Sequence, residues 1–203
     1  VGNNIQAFAK DQVLSSFYVY QQAYDTNGKA IDGVYVDRNN DGIINSSDKY
    51  FFHSPNPDAI FGFSTKVTTG KWEFSTALRA VIGNYVYNNA AANSSLADIT
   101  SSSYNYLRNQ EKSVLTNQFS GFEYFSDLFI EDASFLRMDN LSVGYNFGDF
   151  LGNKKSNLRV TAMAQNVFVI TKYTGVDPEV FGNIDNGFYQ RPKVYSLGFN
   201  FQF

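Results

Sequence analysis

The sequence predicts an all-β fold whose strands belong to a transmembrane β-barrel, and three observations lead to this fold class. Aromatic residues make up 17% of the 203 residues, and 22 residues are asparagine. Long β-strands with an aromatic face, joined by turns rich in Asn, Gly, Ser and Asp, have this composition. Apolar and polar residues alternate with a period of two along several segments. Long and short connections between these segments follow one another in strict alternation.

Three strands are predicted in the first half of the chain. The aromatic run Ser16-Phe17-Tyr18-Val19-Tyr20 has high β-propensity but no clean alternation. Ile60–Thr68 and Trp72–Ile82 each keep their large apolar residues on one face. The three residues between them, Thr69-Gly70-Lys71, form a tight turn, so these two strands are predicted to make a hairpin.

The second half contains three more predicted strands with a clearer period of two. In Phe135–Phe147, the apolar residues Leu141, Val143 and Tyr145 alternate with small or polar residues. Leu158–Phe168 alternates more weakly. Five apolar residues in the last strand lie opposite Ser, Gly, Asn and Gln without exception: Tyr195, Leu197, Phe199, Phe201 and Phe203.

The connections decide between two architectures for these six strands. Residues 25–58, 87–130 and 170–192 form long connections, whereas 69–71 and 148–156 are short. Outer-membrane barrels have short periplasmic turns and long extracellular loops, so the three long connections are predicted to be extracellular. A soluble β-sandwich or jelly roll is the alternative. The polar strand faces carry mostly Asn, Ser, Gly and Thr rather than Lys and Glu, which favours a barrel.

Composition also excludes several classes of function. A net charge of −3 disfavours a nucleic-acid partner. The chain has no cysteine and a single histidine, His53, which excludes thiolate and histidine-rich metal sites. No run approaches the 18 or more apolar residues of a transmembrane helix. Glu131-Asp132 and the pair Asp177 and Glu179 could act as acid and base only at a separation in space that the sequence does not give. Asp177-Pro178-Glu179 is more simply explained as a turn. No enzymatic activity is predicted.

The most specific local motif is a calcium loop over residues 37–48. Oxygen-bearing side chains occupy positions 1, 3, 5, 9 and 12, with glycine at position 6, as in EF-hand loops. Aspartate rather than glutamate at position 12 makes the loop similar to the dockerin variant, with a structural role. A turn rich in Asn and Asp that binds no ion is the alternative. The predicted calcium ligands are Asp37, Asn39, Asp41, Ile43 through its carbonyl, Asn45 and Asp48.

The connection 87–130 carries a second candidate site. Its aromatic residues lie among Asn and Asp, a combination suited to stacking on sugar rings or packing against a protein partner. The alternative is that the rings pack on each other and close the loop. The candidate ligand-facing or partner-facing residues are Tyr104, Tyr106, Phe122 and Tyr124.

Several strings, in order from about Phe17 to Phe203, resemble the C-terminal part of SusC/RagA-type TonB-dependent outer-membrane transporters. They include the calcium-loop residues followed by Phe61-Gly62-Phe63, then the run from Ile130 to Arg137 that leads into Leu141-Ser142-Val143-Gly144-Tyr145. They also include Ala164-Gln165-Asn166-Val167-Phe168 and Thr171-Lys172-Tyr173-Thr174-Gly175, followed by Asp177-Pro178-Glu179.

The resemblance implies a 22-stranded barrel in the bacterial outer membrane, with a plug domain and a SusD-like surface lipoprotein as a lid. It also implies TonB-driven import of glycans or peptides, contact with outer-membrane lipid, and Phe203 as the signal read by the barrel-assembly machinery. The plug domain and TonB box are not among these residues, so the chain is expected to be the last quarter of a transporter. The alternative is a self-contained, calcium-stabilised cell-surface β-domain that binds carbohydrate or protein.

Overall fold

The computed structural model describes residues 5–97, 109–148, 152 and 156–202. It contains twelve strands in these ranges, two short α-helices and three 3-10 helices. The strands are β1 (Gln6–Ala7), β2 (Ser16–Val19), β3 (Gln22–Tyr24), β4 (Ala30–Tyr35), β5 (Tyr50–Phe52), β6 (Ala59–Thr69), β7 (Trp72–Ile82), β8 (Tyr85–Tyr87), β9 (Ile130–Asp132), β10 (Phe135–Gly148), β11 (Asn157–Thr171) and β12 (Val194–Gln202). The helices are α1 (Asn89–Asn93), α2 (Val114–Asn117) and the 3-10 turns Ser46–Asp48, Asp127–Phe129 and Phe181–Asn183.

Contacts divide the chain into two compact units. The loop unit contains the described residues of Val1–Pro57, Asn84–Ala133 and Tyr173–Tyr189. The sheet unit contains those of Asp58–Gly83, Ser134–Lys172 and Gln190–Phe203. Among the described residues, no helix has the length and apolar character needed to cross a membrane.

The sheet unit is built on one antiparallel five-stranded sheet with the order β12-β11-β10-β7-β6. The all-β prediction is confirmed, and five of the six predicted strands lie in this sheet. The predicted hairpin forms: Thr69 pairs with Trp72, and Gly70 adopts a φ of 56° at the turn. Glycine reaches this left-handed backbone conformation without the strain that a Cβ would cause.

The remaining predicted strand, which comes first in the chain, belongs to a different sheet. Ser16–Val19 pairs with β1 and β5 in a three-stranded sheet of the loop unit, so the prediction of about six barrel strands is corrected to five strands in the large sheet. Phe17 and Val19 are fully buried there. A strand in a globular core is buried without regular alternation, which explains why its sequence pattern was the weakest of the six.

Register shifts interrupt the alternation at one level of the large sheet. Between β7 and β10, Leu78 pairs with Met138 and Ala77 with Asn140, which leaves Asp139 as an extra residue. Between β10 and β11 the shift falls at the same place. Asn166, in this part of β11, has a φ of 51°. Bulges of this kind bend a strand and redirect its side chains.

The loop unit has its own apolar core. The three predicted long connections lie almost entirely in this unit and contain secondary structure of their own: β4, β5, and helices α1 and α2. Strands β8 and β9 pair where the second connection leaves and rejoins the sheet. The core cluster consists of Ile5, Phe17, Val19, Ala30, Tyr87, Ala92, Phe119, Phe129 and Ile130.

Candidate functional site

The five-stranded sheet has one apolar and one polar face. Strand pairing places Phe74, Val143, Ala162 and Leu197 side by side, and the alternating residues on each strand continue the same face. Burial cannot explain this surface, because many of its large side chains are exposed in the described chain. These are Phe61, Phe63, Val67, Trp72, Phe74, Leu141, Phe147, Tyr195, Leu197, Phe199 and Phe201.

Aromatic rings gather on the apolar face near the β6–β7 turn. Trp72 lies 4.7 Å from Tyr145 in an edge-to-face contact, and Tyr145 lies 4.7 Å from Phe147. Phe74 lies 6.0 Å from Trp72. Aromatic side chains form such belts where barrel strands leave the hydrocarbon region and meet the lipid headgroups. This end of the sheet therefore fits a membrane interface.

The opposite face carries small and polar side chains with an ion-pair network. Lys66 Nζ on β6 lies 3.0 Å from a carboxylate oxygen of Glu73 on β7. Arg159 on β11 pairs with the other oxygen of Glu73. The Arg159 side chain reaches across β10 at Gly144, where an added Cβ would lie 3.4 Å from Arg159 Nε. The network therefore links β6, β7 and β11 over a strand whose glycine leaves room.

The predicted calcium loop lies in the loop unit, and hydrogen bonds from backbone N–H groups to side-chain oxygens stabilise its turn. Asp37 accepts hydrogen bonds from the N–H groups of Asn40 and Gly42, both at 2.7 Å. Asn39 and Asp41 each accept one from the residue two positions on, at 3.0 and 2.8 Å. The Asn39 amide also donates to Asp41 at 2.8 Å. The side-chain oxygens of the loop thus face its inside.

The last predicted ligand, Asp48, is fully buried. One carboxylate oxygen accepts the Arg38 N–H at 2.9 Å and the other accepts the Asn45 N–H at 2.8 Å. These backbone donors hold the pKa of the Asp48 carboxyl below its usual value, although burial opposes them. Asp48 thus ties the two ends of the loop together. The Asn45 amide donates to the Ile43 carbonyl at 3.2 Å.

The donor set therefore fits the predicted ion unevenly. Asp37, Asn39 and Asp41 present oxygens inside the turn, as a calcium loop requires. Both oxygens of Asp37 and both oxygens of Asp48 accept backbone N–H groups, but of these two residues only Asp48 is fully buried. Within the described ranges, no three or more His, Cys, Asp or Glu side chains are grouped as a metal site. Calcium stays a prediction.

Aromatic rings connect the calcium loop to the segment that follows α2. Lys49 Nζ lies 4.3 Å from the Phe125 ring centre and 5.0 Å from that of Tyr20. Burial lowers the pKa of Lys49. The Tyr50 hydroxyl donates to Asp127 at 2.7 Å. Cation-π and hydrogen-bond contacts thus join residues 49–50 to residues 125–127.

Two of the four candidate ligand-facing aromatics lie in the described part of the chain. The rings of Phe122 and Tyr124 stack on each other with centres 4.9 Å apart and planes tilted by 14°. Phe122 is exposed, and Tyr124 is partly buried. The other two, Tyr104 and Tyr106, and the predicted assembly signal Phe203 lie outside the described residues.

His53 and Glu131, to which the sequence analysis assigned no catalytic or metal-binding role, make structural contacts. His53 stacks face to face on Tyr85 at 3.8 Å, and burial lowers the pKa of its imidazole while Asp132 opposes this shift. Glu131 accepts hydrogen bonds from the Asn88 amide and the Thr174 hydroxyl, at 2.9 and 2.8 Å. His53 and Glu131 thus both make structural contacts within the loop unit.

Glu123 and Arg137 are two of the buried charged residues that the sequence reasoning missed. Glu123 is 1% exposed, and one of its oxygens accepts the Gly33 N–H at 2.5 Å. Burial raises the pKa of its carboxyl. Arg137 is also 1% exposed and donates to Asn166 at 2.6 Å. The sequence offered one signal for Arg137: a charged residue on the polar face, next to the point where the alternation breaks.

A sheet with one exposed apolar face, one polar face and an aromatic belt is the structure of a membrane-spanning β-barrel segment. No family model matches the chain. The TonB-dependent receptor SusC of Bacteroides thetaiotaomicron is 41% identical over 100% of this chain and 21% of its own length. The TonB-dependent receptor P3 of Formosa agariphila is 24% identical over 98% of this chain and 23% of its own length.

Solved structures agree with these relatives. The RagAB peptide transporter matches 93% of this chain and 23% of its own chain, with a TM-score of 0.75 and 23% identity. The RagAB peptide importer in its open-open state matches 93% and 22%, with a TM-score of 0.74 and 25% identity. The chain belongs to the SusC/RagA-type TonB-dependent receptors of the bacterial outer membrane. It spans about a fifth of the length of the relatives it matches.

Proposed function

We propose that this chain is the C-terminal part of a TonB-dependent active importer of nutrients in the bacterial outer membrane. The observation that carries the proposal is the two-faced sheet: its apolar side suits lipid, and its small polar side suits the inside of a barrel. The 41% identity to a TonB-dependent receptor supports the same function. The role of this segment is to form part of the barrel and of its extracellular loops, and no enzymatic step is assigned to it.

Three protein partners follow from the proposal. A SusD-like surface lipoprotein covers the extracellular side, and TonB supplies energy through a part of the receptor outside this chain. The barrel-assembly machinery inserts the strands, for which the final residue Phe203 is the proposed signal. The proposed cargo is a glycan or a peptide, because the RagAB structure that this chain matches is a peptide transporter and the resemblance to SusC/RagA-type receptors implies either class.

Deletion of the gene that encodes the full-length receptor tests the proposal. The deletion strain is expected to lose growth on one class of glycan or peptide as sole nutrient, and plasmid-borne receptor is expected to restore it. Disruption of TonB should abolish the same growth. Unchanged growth and uptake across a panel of both nutrient classes would contradict the proposal.

Solubility tests the alternative of a self-contained surface domain. The open edges of β6 and β12 and the exposed apolar face should make the isolated 203 residues aggregate without detergent. A monodisperse monomer in plain buffer would favour the self-contained domain instead.

We also propose a structural calcium ion in the 37–48 loop. The turned-in oxygens of Asp37, Asn39 and Asp41 support it, and its role is to order the extracellular loop. Calorimetry on the full-length receptor is expected to show calcium binding that Asp37→Asn weakens by about tenfold or more, since each carboxylate ligand adds charge. Asp25→Asn is the matched control, because Asp25 also caps a turn, by accepting the Asn27 N–H outside this loop. No calcium heat with an intact loop would refute the site.

The stacked pair Phe122 and Tyr124 is the proposed contact for a sugar ring or for the partner lipoprotein. Exposed aromatic faces contribute such contacts at small cost in conformational entropy. Phe122→Ala is expected to weaken cargo or lipoprotein binding, with exposed Leu115→Ala as the control. Unchanged binding by the Phe122 variant would assign the pair to loop closure.

A further inference from the structure

Two distant parts of the loop unit hold each other through carboxyl groups. Asp32 on β4 accepts the Ser120 N–H at 3.0 Å and also accepts the Ser120 hydroxyl. In return, Glu123 accepts the N–H of Gly33 on β4 at 2.5 Å. These four residues form a latch between β4 and the segment that follows α2, across 88 and 90 positions of the chain.

The latch contains a buried oxygen that receives no hydrogen bond. Glu123 is 1% exposed, and no donor among the described residues reaches its second oxygen, Oε2. None of the ion pairs in the described part of the chain includes Glu123. The Asp32 and Glu123 side chains lie within hydrogen-bonding reach of each other. Ionised carboxylates only accept hydrogen bonds, so a proton on one of the two is needed to join them.

The titratable groups that face Glu123 come from β4. They are Asp32 and the Tyr35 hydroxyl, which donates its own proton to the Tyr124 carbonyl at 3.0 Å. Burial, and to a smaller extent the Asp32 carboxylate, raises the pKa of Glu123, although the Gly33 N–H opposes this shift. The pKa of Asp32 is lowered instead, by the Ser120 hydroxyl first, although burial opposes this. The geometry and both shifts agree with one proton on the pair, carried by Glu123.

The segment that the latch holds, residues 120–124, carries the stacked pair Phe122 and Tyr124. Two residues close to its ends have left-handed backbone angles without being glycine: Gln118 with a φ of 55° and Phe125 with a φ of 59°. Residues strained in this way keep their conformation only where surrounding contacts hold them. The contacts of the latch with β4 therefore decide whether the segment stays in this position.

We propose that one proton, shared by Glu123 and Asp32, closes this latch and fixes residues 120–124 against β4. Loss of that proton leaves two carboxylates side by side with one of them buried, so the latch opens as pH rises. The stacked pair is then no longer held in one position. The latch thus makes the presentation of these two rings depend on pH. That the rings bind cargo or lipoprotein rests on the proposed function.

Hydrogen exchange of the full-length receptor in detergent, between pH 5 and pH 8, tests the latch. Exchange rates are first corrected for their intrinsic dependence on pH. The pKa of Glu123 is raised in the folded state, so its contribution is complete below the unfolded-state value and is lost as pH rises through the folded-state value. Protection of the peptides that contain Gly33 and Ser120 is expected to fall over this interval by up to about tenfold per pH unit, because one proton is released. Protection that stays constant across this range would overturn the proposal.

Amide variants separate a shared proton from burial alone. Glu123→Gln places a donor beside Asp32 without a titrating proton, so both peptides should stay protected up to pH 8. Asp32→Asn should reduce the fall in protection, because Glu123 then faces an amide donor instead of a carboxylate. Burial alone predicts an unchanged fall in Asp32→Asn, and that result would overturn the shared proton.

Asp25→Asn is the matched control for Asp32→Asn. Asp25 lies in the turn before β4 and accepts the Lys29 N–H at 2.9 Å, so the variant removes a neighbouring carboxylate without touching the latch. It should leave the fall in protection unchanged, and equal effects of the two aspartate variants would overturn the proposal.

Chymotrypsin reports the position of the two rings at a single pH. At pH 8 it should cleave after Phe122 and Tyr124 several-fold faster in the unmodified receptor than in Glu123→Gln, because only the former latch opens. Equal cleavage rates would overturn the link between the latch and the rings. A receptor that fails the growth test but shows these exchange and cleavage patterns would refute the importer and leave the latch standing.

Discussion

The two units of this chain place their apolar residues in opposite ways. Of the fifteen buried apolar residues in the described part of the chain, thirteen lie in the loop unit and only Val81 and Phe135 in the sheet unit. The sheet unit instead exposes rings such as Phe61, Phe199 and Tyr195 along one face. The same residue types are therefore buried in one unit and displayed in the other.

The difference indicates that the loop unit is folded for water and the sheet unit for a lipid bilayer. In water, apolar side chains contribute stability only when they leave the surface, at about 25 cal/mol per Å². The loop unit does this with a closed core around Phe17, Tyr87 and Phe119. In a bilayer, the backbone must satisfy its own hydrogen bonds, and apolar side chains face the lipid. The sheet unit meets that requirement between its neighbouring strands, through the antiparallel ladders that join β6, β7, β10, β11 and β12, whereas its edge strands β6 and β12 need pairing strands from outside these residues.

The largest effect is expected from a cavity in the loop unit. Phe17→Ala removes a fully buried ring and should lower the free energy of unfolding of this unit by about 3–5 kcal/mol. Hydrogen exchange of the full-length receptor should show the loss in the loop unit while the sheet amides stay protected. Phe8→Ala, at an exposed phenylalanine of the same unit, should change little. Equal effects of the two variants would refute a buried apolar core in the loop unit.

A charge on the lipid face is expected to have the next largest effect. Leu197→Arg should destabilise the receptor in lipid vesicles by about 2–4 kcal/mol if the residue lies near mid-membrane. Ser196→Arg puts the same side chain on the polar face one residue earlier and should cost far less, because Ser196 pairs with Met163 on that face. Urea unfolding in vesicles measures both. A larger loss for Ser196→Arg would mean that the two faces have been assigned in reverse.

A smaller effect is expected at the glycine beneath the ion-pair network. Gly144→Leu should push Arg159 away from Glu73 and weaken the link between β7 and β11. Gly198→Leu is the control, since both glycines pair with Thr161 on the polar face, and a Cβ at Gly198 would meet only the Thr161 carbonyl, at 3.8 Å. The difference between the two unfolding midpoints should disappear when Arg159 is replaced by Gln. A difference that persists there would show that the glycine has another role.

The smallest effect is expected from proton binding at Glu123. Burial raises the folded-state pKa of this carboxyl, so the unfolded chain releases its proton first as pH rises. Its contribution to stability is therefore complete below the unfolded value and is lost as pH rises through the folded value. Glu123→Gln should remove this loss and stabilise the loop unit at neutral pH.

Asp25→Asn provides a control of opposite sign for the Glu123 variant. Backbone donors, that of Lys29 first, lower the pKa of Asp25, so its contribution is present at neutral pH and is lost in acid. Proteolysis of the loop unit between pH 4 and pH 8 distinguishes the two variants. A neutral-pH loss of stability in the Glu123 variant would show that its charge is needed.

Alternation predicted the large sheet because a period of two reports which face each residue takes. It identified β6, β7, β11, β12 and most of β10, and it placed side chains such as Phe74 and Leu197 on the apolar face. It failed at Ser16–Val19, where a globular core buries neighbouring residues regardless of face. The bulge at Asp139 could not be predicted, because an extra residue in one strand is visible only against its partner's register.

The sequence predicted only those parts of the candidate sites that depend on residues close together in the chain. Spacing showed that Asp37, Asn39 and Asp41 share one turn, since residues so close in the chain cannot be far apart. Spacing could not show that the Asp48 carboxylate would be taken up by backbone N–H groups, which depends on the fold of the turn. Contacts such as Glu123 with Gly33 join residues ninety positions apart, and no local pattern records them.

The aromatic belt also provides an optical reporter. Trp72 is the only tryptophan among these 203 residues, and it lies where the sheet is expected to meet the headgroups. Indole emission shifts to shorter wavelength as water is replaced by lipid, so the fluorescence of the isolated segment can follow its transfer from denaturant into bilayers without an added dye. Brominated lipids labelled at different depths would then give the height of the β6–β7 turn relative to the membrane surface.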